Sequence, residues 1–125
     1  MSRNIFNGCT NLQNVYSTNG FSEIYSHCFY DCIKLTDASF ANIVTNNTTK
    51  IVNNSFEHCT SLTSITIPDS VTDLGSAVFY RCTGLTTATL GTGVTSISSY
   101  LFRDCSNLTS ITINGDITSI RDCAF

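Results

Sequence analysis

The residues best suited to chemistry in this 125-residue sequence are seven cysteines and two histidines. His27-Cys28 with Cys32, and His58-Cys59, set an imidazole beside a thiol, the donor pairing that zinc prefers. A zinc site needs such donors two to four residues apart and then paired a second time. The other cysteines recur only once in 23 or 27 residues, so the spacing predicts no metal. Gly91-Thr92-Gly93 has the opening of a phosphate-binding loop, but no third glycine and no long helix follow it. Asp31 and Asp104 could serve as acid and base on one bond only if brought together. They occupy the same position in units three apart, roughly 14 Å at strand spacing. Neither histidine has a serine nucleophile and an orienting carboxylate in a recognisable pattern. This inventory predicts no enzyme and no cofactor.

Composition narrows the classes further. Charged residues make up 12% of the chain and the net charge is −3, with no Lys/Arg cluster to track a phosphate backbone. Nucleic acid is therefore not an expected partner. A hydrophobic fraction of 42%, with eight Phe, argues for a packed core rather than disorder. No window approaches a membrane span, and the opening MSRNIFNGCT lacks the apolar run of a signal peptide.

What must position these residues is a repeat. Phe6, Phe29, Phe56, Phe79, Phe102 and Phe125 are separated by 23, 27, 23, 23 and 23 residues. Three residues after each of the first five comes Cys9, Cys32, Cys59, Cys82 or Cys105, and three further on Leu12, Leu35, Leu62, Leu85 or Leu108. Then follow Val15, Ala38, Ile65, Ala88 and Ile111, and two later Ser17, Phe40, Ile67, Leu90 and Ile113. A unit this short cannot bury its own apolar side chains and must stack on its neighbours, so the register predicts a solenoid. The alternation in SITI (64 to 67) has the period of a strand with one buried face. Stacking would join these strands into one parallel sheet spaced about 4.8 Å apart. Turn formers follow, as in Pro68-Asp69-Ser70 and Gly91-Thr92-Gly93. A short extended piece ending at Ile24, Ile51, Leu74, Ile97 or Ile120 then crosses the opposite side. A helical or 3₁₀ turn is expected to lead back to the next Phe.

The pattern F-x-x-C-x-x-L-x-x-I-x-I-P-x-x-V-x-x-I, clearest in FEHCTSLTSITIPDSVTDLGSAVF (56 to 79), resembles the BspA-like, or treponemal-type, leucine-rich repeats. The resemblance extends from Phe6 to Phe125. Coil two departs from it by four extra residues within ANIVTNNTTKI (41 to 51), and Pro68 is the sole proline. The expected fold is a mainly β repeat solenoid. It is a right-handed leucine-rich repeat coil with one parallel sheet and short extended or 3₁₀/helical turns opposite. Residues 1–125 form a single domain with coils at 6–28, 29–55, 56–78, 79–101 and 102–124.

On this framework the ladder cysteines read as small buried hydrophobes. Stacked neighbours approach disulfide range, but in-register side chains point the same way, so bridges are not expected. Cys28 and Cys32, four apart, are an off-ladder pair, and Cys123 is the expected reactive thiol. Asn46-Asn47-Thr48-Thr49 contains glycosylation sequons of the kind that such composition produces by chance.

Two surfaces are candidate binding sites. The outward side of the sheet carries Asn14, Asp37, Ser64, Thr87 and Ser110 in one column, and Tyr16, Ser39, Thr66, Thr89 and Thr112 in the next. The ridge after each Phe carries Tyr30, Asp31, Glu57, His58, Tyr80, Arg81, Arg103 and Asp104, where Tyr and Arg are the residue types in which binding energy concentrates. Its acids read as solvated loop residues. Phe6 and Phe125 are candidate end contacts, because neither end carries a polar cap. That leads to the expectation of a segment of a longer repeat protein, or of ends that stack on a second copy. The resemblance implies a non-enzymatic protein-interaction module, with an unknown protein partner, in a cell-surface or secreted adhesin-like protein. The alternative is a structural scaffold that associates end to end as a homo-oligomer.

Overall fold

The Phe register is the axis of the fold. The computed structural model describes residues 3–125; Met1 and Ser2 of the expected domain lie outside them. The elements in order are β1 (Glu23–Ile24), α1 (Asp37–Ile43), β2 (Lys50–Ile51), β3 (Ser64–Ile67), β4 (Asp73–Leu74), β5 (Thr87–Leu90), β6 (Ser96–Ile97), β7 (Ser110–Ile113) and β8 (Ser119–Ile120). On the front, β3, β5 and β7 form a parallel sheet in the register Ser64–Thr87–Ser110. On the back, β1, β2 and β4 form a second parallel sheet, and β6 pairs with β8. Between β4 and β6 the Ser98 hydroxyl donates to the Leu74 carbonyl at 2.6 Å, in a place where neighbouring coils use a backbone N–H.

Six Phe rings stack along the solenoid, with centroids 5.1 to 6.1 Å apart and planes within 18° of parallel. Alternation in β3 follows directly: Ile65 and Ile67 are buried while Ser64 and Thr66 are exposed. Gly91 and Gly93 let successive front-to-back turns approach. A Cβ on Gly91 would sit 2.5 Å from the Pro68 carbonyl carbon, and one on Gly93 would strike the Asp69 carbonyl oxygen. These glycines serve stacking.

The corner that carries Phe is a chain of tight turns, not a helix. Asn4, His27, Asn54, Ala77, Tyr100 and Cys123, each two residues before a Phe, have φ between 52° and 61°. Two residues after Phe, Gly8, Asp31, His58, Arg81 and Asp104 are left-handed as well. With these two flips, alternate N–H groups point along the solenoid axis. Ala77, Phe79 and Arg81 donate to Ser99, Leu101 and Arg103 of the next coil at 2.9 to 3.0 Å. Here the earlier coil donates to the later, whereas the bonds that flank the front and back strands run from later to earlier, as in Thr86 to Thr63 and Gly75 to Ile51. The parallel strands themselves exchange bonds both ways.

The front sheet is shorter than the repeat predicts, because coil two replaces its strand with α1. Thr36 caps the helix through its side chain, accepting from the Ser39 N–H at 3.3 Å, and Asp37 sits in the first turn. DASFANI lacks the β-branched alternation that favours a strand. A helical residue rises about 1.5 Å against about 3.3 Å in a strand, so the helix takes up the extra residues of this coil within the same span. As a result Ala38, expected in the core, is exposed. Phe40 is buried, packing against Phe56 and Phe79 at 5.0 and 5.8 Å. The helix joins the ladder through side chains. The Asp37 carboxylate accepts from the Thr63 and Ser64 N–H groups at 2.8 and 3.1 Å. On the other side, the Ser39 hydroxyl donates to the Gln13 carbonyl at 2.8 Å, and the Asn42 amide to the Val15 carbonyl at 3.1 Å. The front stretch of coil one therefore runs extended beside a helix and forms no front strand, and β1 on the back is its strand.

Two stability changes follow. Phe79→Ala removes a ring packed between Phe56, Phe102 and Phe40 and should cost about 3–5 kcal/mol in urea unfolding. Ser55 lies in the buried column one before Phe, and its hydroxyl has no hydrogen-bond partner. Ser55→Ala should stabilise the protein by about 1 kcal/mol in the same assay, because an unsatisfied buried polar group is removed.

Candidate functional site

The front sheet brings Ser64, Thr87 and Ser110 into one outward row and Thr66, Thr89 and Thr112 into the next. Within the first row the Thr87 hydroxyl donates to the Ser64 hydroxyl at 3.0 Å. No side chain in these rows is charged, so the surface offers hydroxyl donors and acceptors on a rigid backbone. Coils one and two do not extend it as expected. Ser39 is buried and bonded to coil one, and Asp37 is occupied at the edge of β3. Asn14 and Tyr16 lie beyond the helix on the extended stretch, where Tyr16 is 85% exposed.

The corner ridge pairs polar side chains of successive coils. Asp31 and His58 occupy the same left-handed position in successive coils, with Oδ1 and Nδ1 2.6 Å apart. Arg81 and Asp104 repeat the arrangement more loosely at 3.8 Å. Arg81 lies over the Tyr80 ring at 4.9 Å, and Arg103 over the Tyr100 ring at 5.3 Å. Tyr30 tilts against His27 at 5.6 Å. Glu57 departs from the solvated ridge expected of it. It is buried, and its Oε2 accepts from the Asn54 amide at 2.6 Å. Asn54, Ala77 and Tyr100 belong to this surface and were not singled out from the sequence. Their signal is the position two before Phe, three residues from the ridge column, which one turn brings alongside it.

The cysteines divide by depth. Cys32, Cys59, Cys82 and Cys105 are buried, and each thiol donates to the Phe carbonyl of the preceding coil at 3.0 to 3.2 Å. Cys9, the first of the ladder, is exposed. Cys28 belongs to the buried column one before Phe, together with Ser55, Val78, Leu101 and Ala124. Cys123 is exposed. Burial pushes Cys105 up to about 11 and Cys32 up to about 12 from the ordinary thiol value, and raises Cys59 and Cys82 strongly. His58 faces Asp31 rather than a thiol. Among the described residues no three His, Cys, Asp or Glu side chains gather as a metal site. No helix among them is long and apolar enough to cross a membrane.

At the ends, Phe6 is partly buried against the core, whereas Phe125, Ile113 and Ile120 are 58%, 42% and 62% exposed. A groove of about 560 Å³ between Phe102, Leu108, Ile111 and Phe125 opens at the last coil.

The repeated corner, the stacked Phe and the thiol ladder coincide with a known pattern. The family model of the BspA type leucine rich repeat region, in six copies, matches residues 1–48 and 41–125. The chain belongs to the BspA-type leucine-rich repeat family. Among solved structures, the leucine-rich repeat protein of T. pallidum is 29% identical to this BspA-type chain. It superimposes with a TM-score of 0.80 over 92% of this chain and 52% of that one. A leucine-rich repeat protein from Bacteroides ovatus, 24% identical, gives 0.75 over 100% of this chain and 37% of that one. A leucine-rich cell surface protein from Faecalibacterium prausnitzii, 23% identical, gives 0.55 over 82% and 32%. The last two show likeness of fold alone. The BspA-type chain spans about half the length of the first of these proteins and about a third of the others. No curated protein matches it.

Thiol depth sets a reactivity pattern. Under native conditions a maleimide should label Cys9 and Cys123 and leave the other five until denaturant is added, as read by mass spectrometry. The raised thiols also fix the sign of alkaline instability. Below about pH 8.5 these thiols are protonated in both folded and unfolded chains. Above it the unfolded chain loses protons that the folded chain retains. Stability should therefore decline from about pH 9 as the folded values of about 11 and 12 are approached, as checked by urea unfolding under reductant.

Proposed function

We propose that this chain is a non-enzymatic protein-binding module of an adhesin-like protein that is displayed at a cell surface or secreted. The observation that carries this reading is the front sheet: two in-register rows of uncharged hydroxyl side chains on a backbone that ordering costs little to present. Tyr16, almost fully exposed beside it, supplies an aromatic of the kind that anchors protein contacts. Membership of the leucine-rich repeat family supports an interaction role, and the F. prausnitzii protein is itself described as a cell surface protein. The partner is a protein surface that complements a flat, neutral, hydrogen-bonding face. The test is binding of the chain to intact epithelial cells and to immobilised extracellular-matrix proteins. The wild type is compared with Thr66→Arg/Thr87→Arg and with Tyr16→Ala. Each variant should weaken binding at least about tenfold, equivalent to about 1.4 kcal/mol, with unchanged melting. Binding that survives both variants would overturn the assignment to this face.

A second reading rests on the last coil, where Ile113, Ile120 and Phe125 are exposed together. In it the 125-residue polypeptide associates end to end through Phe6 and Phe125 as a scaffold. Light scattering across a concentration series should then show mass growth that Phe125→Asp abolishes and reductant does not. A monomer at high micromolar concentration would exclude this reading.

A further inference from the structure

Along the corner, the residue two before Phe and the residue one after it lie side by side within each coil. They touch as His27 with Tyr30, Asn54 with Glu57, and Tyr100 with Arg103. In the coil between the last two, the first member is Ala77, which stands beside Tyr80. The missing side chain leaves an open notch of about 290 Å³ lined by Asn54, Glu57, Ala77, Tyr80, Tyr100 and Arg103. We propose that this notch is a binding subsite for a single neutral sugar ring.

Size supports this first. The space falls at the lower limit of small-molecule sites, which begin at about 300 Å³, so it suits one small ring. Chemistry supports it next. Two phenol rings and a methyl group provide apolar surface for the C–H face of a pyranose. Around them stand an acceptor-only carboxylate, a donor-only guanidinium, and an amide and two phenol hydroxyls that do both. A pyranose presents this mixture: apolar faces edged by hydroxyls that donate and accept. The charges of Glu57 and Arg103 oppose, so an anion meets the carboxylate and a cation meets the guanidinium, whereas a neutral polyol meets neither penalty.

Glu57 is the most telling group. Among the described residues it is the charged side chain that is nine-tenths buried. The Asn54 amide donates to Oε2 at 2.6 Å, which leaves Oε1 open to a further donor. Oε1 faces the open notch, where it can accept from water or from a ligand hydroxyl. The site is also preorganised. Asn54, Ala77 and Tyr100 are fixed by N–H bonds to Ser76, Ser99 and Asp122 of the next coil at 3.0 to 3.3 Å. The guanidinium of Arg81 lies on Tyr80 and that of Arg103 on Tyr100. Little ordering remains for a ligand to impose. The inference does not depend on the protein-binding face, which lies on a different side of the coil.

The experiment is a titration of the ¹⁵N-labelled chain with methyl α-glucopyranoside, methyl β-galactopyranoside and N-acetylglucosamine, with N-acetylarginine methylamide as the cationic comparison. At least one sugar should give saturable shifts at the Asn54, Glu57, Ala77, Tyr80, Tyr100 and Arg103 amides, with a Kd on the order of millimolar. Ala77→Leu, which fills the notch, should weaken that binding at least about tenfold, or 1.4 kcal/mol. Glu57→Gln keeps the shape of the side chain and should have the same effect, so the test stands even if Ala77→Leu fails to fold. Absence of saturable shifts at these amides with all three sugars would overturn the proposal. So would sugar binding that Glu57→Gln leaves unchanged. Tighter saturation of the same amides by the arginine derivative would also overturn it, assigning the notch to a peptide side chain.

Discussion

The structure depends on one contact repeated: a phenylalanine ring lying nearly parallel on the ring of the coil before it. A coil of 23 residues has too little interior to hold itself, so each is stable only as far as its neighbours cover it. The Phe column supplies most of that cover at the corner, where the backbone is bent too tightly for a strand. The same backbone path presents the Phe carbonyl to the next thiol and turns the flanking residues outward. The buried ladder and the exposed ridge are thus two products of one corner geometry.

Helix α1 shows how much irregularity the stack tolerates. It leaves the sheet, yet its side chains perform the work of a strand backbone on both sides. Asp37 caps the edge of β3, while Ser39 and Asn42 bond coil one. Phe40 fills the interior from a helical position. The change separates the surface into a flat face over coils three to five and a rougher N-terminal part bearing Tyr16. Any partner of the sheet meets a step at the helix.

The register of Phe, Cys and Leu was legible because it reports burial, and burial repeats with the coil. So was the alternation in SITI, which places Ile65 and Ile67 inside. Ala38 and Ser39 misled for the same reason: by count one fell on the inward column and the other on the outward one. Local propensity and four extra residues had changed the element that carried them, leaving Ala38 exposed and Ser39 buried while Phe40 kept its place inside. Cys28 looked exceptional, but it occupies a position that other coils fill with Ser, Val, Leu or Ala, a column too varied to recognise by type. The left-handed residues were not legible either. Asn and Asp suit that conformation, but Ala77, Arg81 and Tyr100 adopt it under the demand of the inter-coil bonds. The notch at Ala77 was hidden by its nature, since it is made by a side chain that is absent and by neighbours one coil away on each side.

The inter-coil bonds of the corner have a consequence for how such chains change in length. At the corner, successive coils carry the same order of donors on one rim and acceptors on the other; on the front, coil two meets its neighbours through side chains instead. The strand-bearing coils three to five can therefore follow one another, whereas coil two fits only between neighbours that meet its side chains. Whole strand-bearing coils behave as interchangeable parts with a polarity, like bricks keyed on opposite faces. Recombination at matching points, such as the residues before Phe79 and Phe102, conserves every seam it creates. A single strand-bearing coil added or removed at such points would leave the corner bonds of its neighbours intact.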